Sequence, residues 1–61
     1  MLSSHPAIVE LAETAYFSGF ELADAPITDA DVEYLTQDRG VVASRDAIVA
    51  AYAEAYAAAA H

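Results

Sequence analysis

Apolar residues recur at helical spacing between Ser4 and Asp24, which is the longest periodic stretch of the chain. At about 100° per residue, its apolar side chains share one broad arc of roughly half the circumference. That arc contains Ile8, Leu11, Ala12, Ala15, Tyr16, Gly19, Phe20, Leu22 and Ala23. An arc wider than the stripe of an ordinary surface helix predicts a helix that the other apolar segments of the chain cover.

The opposite side of this segment is acidic, with one exception. Glu10, Glu13, Glu21 and Asp24 form what we call the acidic row. Phe17 stands in the middle of the row, where a solvated side chain is expected. The pattern therefore predicts that Phe17 is exposed and that Phe20, on the apolar arc, is buried.

The ends of this first helix are predicted from its prolines and serines. Pro6 is tolerated only in the first turn of a helix, so Ser3 or Ser4 is expected to be the N-cap. Pro26 disfavours helical geometry at the residue before it. The first helix is therefore predicted over residues 5–24.

The second helix has the clearest local signature in the chain. Thr28 is placed as an N-cap, with Asp31 three residues later as the second member of a capping box. Gly40 is suited to the left-handed residue that follows a helix. These signals predict a helix over residues 29–39.

A third helix is predicted over residues 45–60, with Ser44 as its N-cap. Its inner face is predicted to consist of Ile48, Ala51, Tyr52, Ala55, Tyr56 and Ala59. Its alanines give it a high intrinsic helix propensity. Because no strand-like alternation competes, the chain is predicted to be an all-α, three-helix single domain over residues 1–61.

Composition narrows the classes of function. The formal charge is -8, from ten carboxylates and two arginines, so direct binding to nucleic acid phosphates would be repulsive. A hydrophobic fraction of 57% is too high for an acidic disordered tail, so the chain should fold. No signal peptide or membrane span is recognisable, and a cytoplasmic location is expected. Sixteen alanines and no lysine or asparagine suggest a GC-rich coding genome, or a salt-adapted one given the acidity.

Self-association is expected because 61 residues can enclose only a small core. Gly19 lies near the centre of the apolar arc, inside the predicted first helix, where glycine costs about 1 kcal/mol relative to alanine. Close approach of another helix would explain it. The sequence therefore predicts a helical homodimer with Gly19 near the crossing.

No catalytic, cofactor or metal site is predicted. The cluster Asp24, Asp29, Asp31 and Glu33 lacks the glycine and the final glutamate of a calcium loop. Its first-turn carboxylates are explained by the helix dipole. Neither histidine has a nucleophile motif near it in sequence, so the chain is not predicted to be an enzyme.

The functional prediction is a small acidic protein-interaction module, an adaptor or inhibitor that docks through the outer face of the first helix. An exposed aromatic flanked by charges resembles an interface anchor with a polar rim, although single exposed apolar residues are also common on monomers. The partner is expected to have a basic, or apolar and basic, surface. The predicted contact residues are Glu10, Glu13, Phe17, Glu21, Asp24 and Tyr34.

Two alternatives remain open. One is a structural, self-associating helical unit. The other is an acidic DNA mimic, in which the acidic row spreads over about 21 Å of helix and imitates spaced phosphates.

Overall fold

The protein folds as a small all-α domain, as predicted. The computed structural model describes all residues, 1–61, and contains three helical segments and no strand. Helix α1 is Pro6–Phe17, helix α2 is Asp29–Glu33 with a π-helical continuation Tyr34–Asp38, and helix α3 is Arg45–Ala59. Short 3₁₀ turns at Leu2–Ser4 and Leu22–Asp24 complete the chain.

Helix α1 begins at Pro6, one residue after the predicted start at residue 5, and its N-cap is not a serine. Ser3 and Ser4 lie in the first 3₁₀ turn, and neither caps the helix. His5 is the N-cap instead, since its Nδ1 accepts a hydrogen bond from the backbone N–H of Ala7 at 3.1 Å. Pro6 occupies the first helical position, where its missing N–H leaves no bond unmade.

The prediction that α1 continues to Asp24 is wrong, because Gly19 ends it. Gly19 has a φ of +85°, in the left-handed region. Its N–H bonds to the carbonyl of Tyr16 at 3.1 Å, and the N–H of Phe20 bonds to the carbonyl of Ala15 at 3.1 Å. This pair of bonds is a Schellman motif, which satisfies the last carbonyls of the helix. Within this chain, nothing lies within 4 Å of the position that a Cβ of Gly19 would take, so no other helix of the same molecule crosses there. The homodimer with Gly19 near the crossing stays a prediction.

Gly19→Ala is expected to destabilise the fold by about 1 to 2 kcal/mol, the cost of a left-handed conformation for a residue with a Cβ. Gly19→Asn should be milder, because asparagine tolerates this conformation better. Urea unfolding followed by circular dichroism measures both. If α1 continued through Gly19, the effect on the free energy of unfolding would have the opposite sign, and Gly19→Ala would stabilise the fold by about 1 kcal/mol.

Two tyrosines of α3 hold the segment between α1 and α2 in place. The hydroxyl of Tyr52 donates to the carbonyl of Ala25 at 2.7 Å. The hydroxyl of Tyr56 donates to the carbonyl of Phe20 at 2.6 Å. The rings thus pack toward the core while their hydroxyls satisfy backbone that no helix ladder serves.

Tyr52→Phe is expected to cost about 1 kcal/mol of unfolding free energy, because it leaves the Ala25 carbonyl without this partner. Burial, reinforced by the charge of Asp31, raises the pKa of Tyr52 above the ordinary 10.0. The unfolded chain therefore loses the phenolic proton at a lower pH than the folded protein. The contribution of Tyr52 to the free energy of unfolding is complete below pH 10.0 and falls as the pH rises above that value.

Urea titrations across that alkaline range, on the wild type and on Tyr52→Phe, test both parts of this expectation. Tyr56→Phe is the matched control, since it removes the same kind of bond from a more exposed ring. A wild type that loses no more stability with rising pH than Tyr52→Phe would contradict the role given to Tyr52.

The second helical segment confirms the predicted caps. The Thr28 hydroxyl accepts from the N–H of Asp31 at 3.1 Å, and the Asp31 carboxylate accepts from the N–H of Thr28 at 3.0 Å. Gly40 follows the segment with a φ of +68°. The π-helical turn was not predicted; within it, the Thr36 hydroxyl donates to the Val32 carbonyl at 2.8 Å.

Helix α3 is capped as predicted, since the Ser44 hydroxyl accepts from the N–H of Ala47 at 3.2 Å. Of its predicted inner face, Tyr56 and Ala59 are half-buried and the other four residues are buried. The core packs α3 against α1 and closes with residues of the loops and of the second segment. It consists of Ala7, Ile8, Ala12, Ala15, Ile27, Leu35, Val41, Ile48, Ala51, Tyr52 and Ala55.

Candidate docking surface

The rings of Tyr16, Phe17 and Tyr56 meet at the end of α1, and the backbone of Phe20 adjoins them; we call these four residues the aromatic patch. The Phe17 and Tyr16 rings are 5.3 Å apart at 73°, and those of Tyr16 and Tyr56 are 5.6 Å apart at 85°. Both are edge-to-face contacts, the favourable geometry for aromatic pairs. Phe20 joins the patch through its carbonyl, which accepts from the Tyr56 hydroxyl.

The exposed fractions of the two phenylalanine side chains confirm one prediction and contradict the other. Phe17 is 71% exposed, which confirms its expected place on the outer face of α1. Phe20 is 54% exposed, so the prediction that it is buried is wrong. The left-handed Gly19 changes the chain direction just before Phe20, and the helical phase that would have turned Phe20 inward is lost.

The rim of the aromatic patch is acidic. Glu13 lies one helical turn before Phe17, and Glu21 directly follows Phe20; both are exposed. Neither of them forms an ion pair, because the two arginines of the chain bind other carboxylates. The patch therefore combines exposed aromatic rings with uncompensated negative charge.

The predicted acidic contact residues do not lie along one helix. Glu21 and Asp24 lie beyond the end of α1, in and beside the second 3₁₀ turn, so they do not extend the helical acidic row. The geometry that motivated the DNA mimic, four carboxylates along one helix, is thus absent. Only Glu10 and Glu13 stand on α1 itself.

Arg39 connects Glu10 to Tyr34. Its Nη1 donates to the Glu10 carboxylate at 2.6 Å and to the Tyr34 hydroxyl at 3.0 Å. The hydrogen bonds that Arg39 donates to Tyr34 and Glu10 raise the pKa of its guanidinium. Tyr34 and Glu10 thus share one guanidinium nitrogen, and the negative charge of Glu10 is compensated.

Arg45 binds Asp29 at the start of α2. Both arginines thus cross-link separate elements, through exposed pairs of the kind that contribute little to stability. The pairs affect the surface more than the fold. Because both guanidinium groups of the chain are already engaged, neither a neighbouring carboxylate nor a second copy can use them.

The structure places no group of three His, Asp or Glu side chains where they could hold a metal ion. The imidazole of His5 is engaged at the start of α1. No helix has the length and apolar character needed to cross a bilayer.

No protein-family model, curated protein or solved structure matches this chain. The argument for function therefore depends on the surface itself. Its distinguishing features are the exposed aromatic patch, the acidic rim and the two arginines already engaged within the molecule.

Proposed function

We propose that this protein is a small protein-interaction module, an adaptor or inhibitor without enzymatic activity of its own, that docks its aromatic patch onto a partner protein. The observation that carries the proposal is that Phe17 is 71% exposed while its ring rests edge-on against Tyr16. Phage and host regulators that bind an enzyme and block it form one such class. We place this function in the cytoplasm.

Preorganisation supports an anchoring role for Phe17. Aromatic side chains have only two rotatable side-chain bonds, and the contact with Tyr16 restricts them further. A side chain that is already ordered loses less conformational entropy on binding. Phe17 is therefore suited to enter a pocket on a partner at low entropic cost.

Charge defines the partner's chemistry. The chain carries a net charge of -8, and Glu13 and Glu21 flank the exposed phenylalanines without a cationic partner. A complementary surface has an apolar pocket for Phe17 with lysine or arginine around it. Such complementarity speeds association and selects against acidic competitors.

A photo-crosslinking experiment in the native host tests the proposal. Placing p-benzoyl-phenylalanine at position 17 should capture one dominant protein whose crosslinked segment is apolar and flanked by basic residues. The same group at Val42, which is 97% exposed but outside the aromatic patch, is the control and should not capture it. Equal capture from both positions, or none from position 17, would contradict the proposal.

Self-association through the same patch is the second candidate, since the exposed Phe17 and Phe20 can also be covered by another copy. The two candidates predict opposite responses to salt. Screening weakens the attraction of a basic partner but relieves the repulsion between two copies of charge -8. Sedimentation equilibrium from low salt to about 1 M, where the Debye length is about 3 Å, should show dimer only at high salt if copies pair through the patch.

A further inference from the structure

A groove runs between α1 and the last turns of α3, and Glu13 belongs both to its lining and to the rim of the aromatic patch. Its apolar lining consists of Val9, Ala55, Ala58 and Ala59. Its polar lining consists of Ser3, Ser4 and Glu13. We call it the alanine groove; its volume is about 330 Å³.

The groove has the chemistry of a site for a long cationic side chain. Alanine and valine walls suit an aliphatic stem, and long basic side chains place such stems on apolar surface while the charged head stays in water. Glu13 is the only ionisable residue in the lining, and it is exposed without an ion pair. The hydroxyls of Ser3 and Ser4 add further acceptors.

We propose that the alanine groove receives one arginine side chain of the partner protein, with its stem along the alanine wall and its guanidinium on Glu13. This inference rests on the docking function proposed above, because the arginine belongs to the partner's basic rim. Arginine is favoured over lysine because its planar fork of five donors can bond a carboxylate and neighbouring hydroxyls together.

Continuity with the aromatic patch supports the same occupant. Glu13 precedes Phe17 by four residues on one helix, a separation of about 6 Å along the axis. A partner that encloses Phe17 therefore reaches the groove with its next side chains. A second copy of this chain is a poor donor, because Arg39 and Arg45 are both bound to carboxylates of their own molecule.

The test uses n-butylguanidinium as a probe for the arginine side chain and follows amide and methyl NMR shifts of the whole protein. The probe should cause saturable shifts centred on Val9, Ala58 and Ala59. Guanidinium alone and n-butanol alone should cause weaker shifts there, and n-butylammonium should bind less tightly than n-butylguanidinium.

Three variants identify the groove as the site. Ala58→Leu fills the groove and should abolish the saturable shifts, whereas Ala57→Leu, at an exposed position on the same helix outside the lining, should leave them unchanged. Glu13→Gln keeps the shape and should weaken binding about threefold, as expected for a partly exposed ion pair. Full binding by Ala58→Leu or by Glu13→Gln, or equal binding of n-butylammonium, would overturn the inference.

Phe17→Ser separates this inference from the docking function. It should bind n-butylguanidinium as the wild type does, since Phe17 does not line the groove. A wild type that shows no saturable shift with the probe, but still captures a partner from position 17, would overturn the arginine site and leave the docking function standing. Normal probe binding without a partner captured from position 17 would overturn the docking function and leave the groove standing as a site for a guanidinium group.

Discussion

Ile48→Ala should lower the free energy of unfolding by a large fraction. Ile48 is 0% exposed and is one of the three largest fully buried side chains, with Ile8 and Leu35. Truncating a buried isoleucine to alanine costs about 2 to 5 kcal/mol, through lost burial and the cavity left behind. A domain of 61 residues is stable by about 3 to 9 kcal/mol at roughly 0.05 to 0.15 kcal/mol per residue. The substitution therefore removes a large share of the total stability.

Val49→Ala is the matched control, because Val49 is the next residue of α3 and is 41% exposed. Its effect should stay near about 0.5 kcal/mol, as for most surface substitutions. Urea unfolding monitored by circular dichroism measures both variants. If the two lose similar stability, the inward phase of α3 described here is incorrect.

Phe17→Ser should reduce affinity for the captured partner at least thirtyfold, or about 2 kcal/mol, which is the loss typical of a central aromatic anchor. The fold should lose no more than about 1 kcal/mol, because the ring is mostly in solvent and its aromatic pair is an edge-to-face contact with the half-buried Tyr16. Calorimetric titration with the partner gives the first value, and a thermal melt gives the second.

Val42→Ser is the control for this binding experiment. It removes an apolar side chain that is even more exposed than Phe17, but one outside the aromatic patch, so affinity should not change. Equal affinities of wild type and Phe17→Ser would remove Phe17 as the anchor. A Phe17→Ser variant that unfolds would mean that the ring belongs to the core.

Phe20→Ala shows how the structure revises an expectation drawn from the pattern. The apolar arc implies a core phenylalanine, whose loss costs about 3 to 5 kcal/mol. At 54% exposure, the expected loss of stability falls to about 1 kcal/mol, and the larger effect moves to partner binding.

Interactions between near neighbours in the chain were predictable from the sequence. The capping box joins Thr28 to Asp31, and the cap of α3 joins Ser44 to Ala47, each across three residues. The left-handed Gly40 and the inner face of α3 follow from equally local rules. The exposure of Phe17 belongs with them, because position 17 still lies within the undisturbed period of α1.

The end of α1 was ambiguous in sequence. A glycine preceded by serine and followed by an apolar residue fits a Schellman motif, but the apolar period also continues past it to Pro26, so a longer helix fitted as well. Local propensities differ by only about 1 kcal/mol at such a position. Tertiary packing and the two tyrosine hydrogen bonds together contribute more than this difference in propensity, and they hold the segment after Gly19 against α3.

The chain's own sequence thus determined three helices, the caps at Thr28 and Ser44 and an exposed Phe17, because these depend on residues within about one helical turn. Only the tertiary structure decided the composition of the docking surface. Tyr56 meets Phe20 across 36 positions, and Arg39 reaches Glu10 across 29, so neither contact has a signature in any local window. These distant contacts brought Tyr56 to the backbone of Phe20 and neutralised Glu10, because side chains from separate elements meet only when those elements pack together.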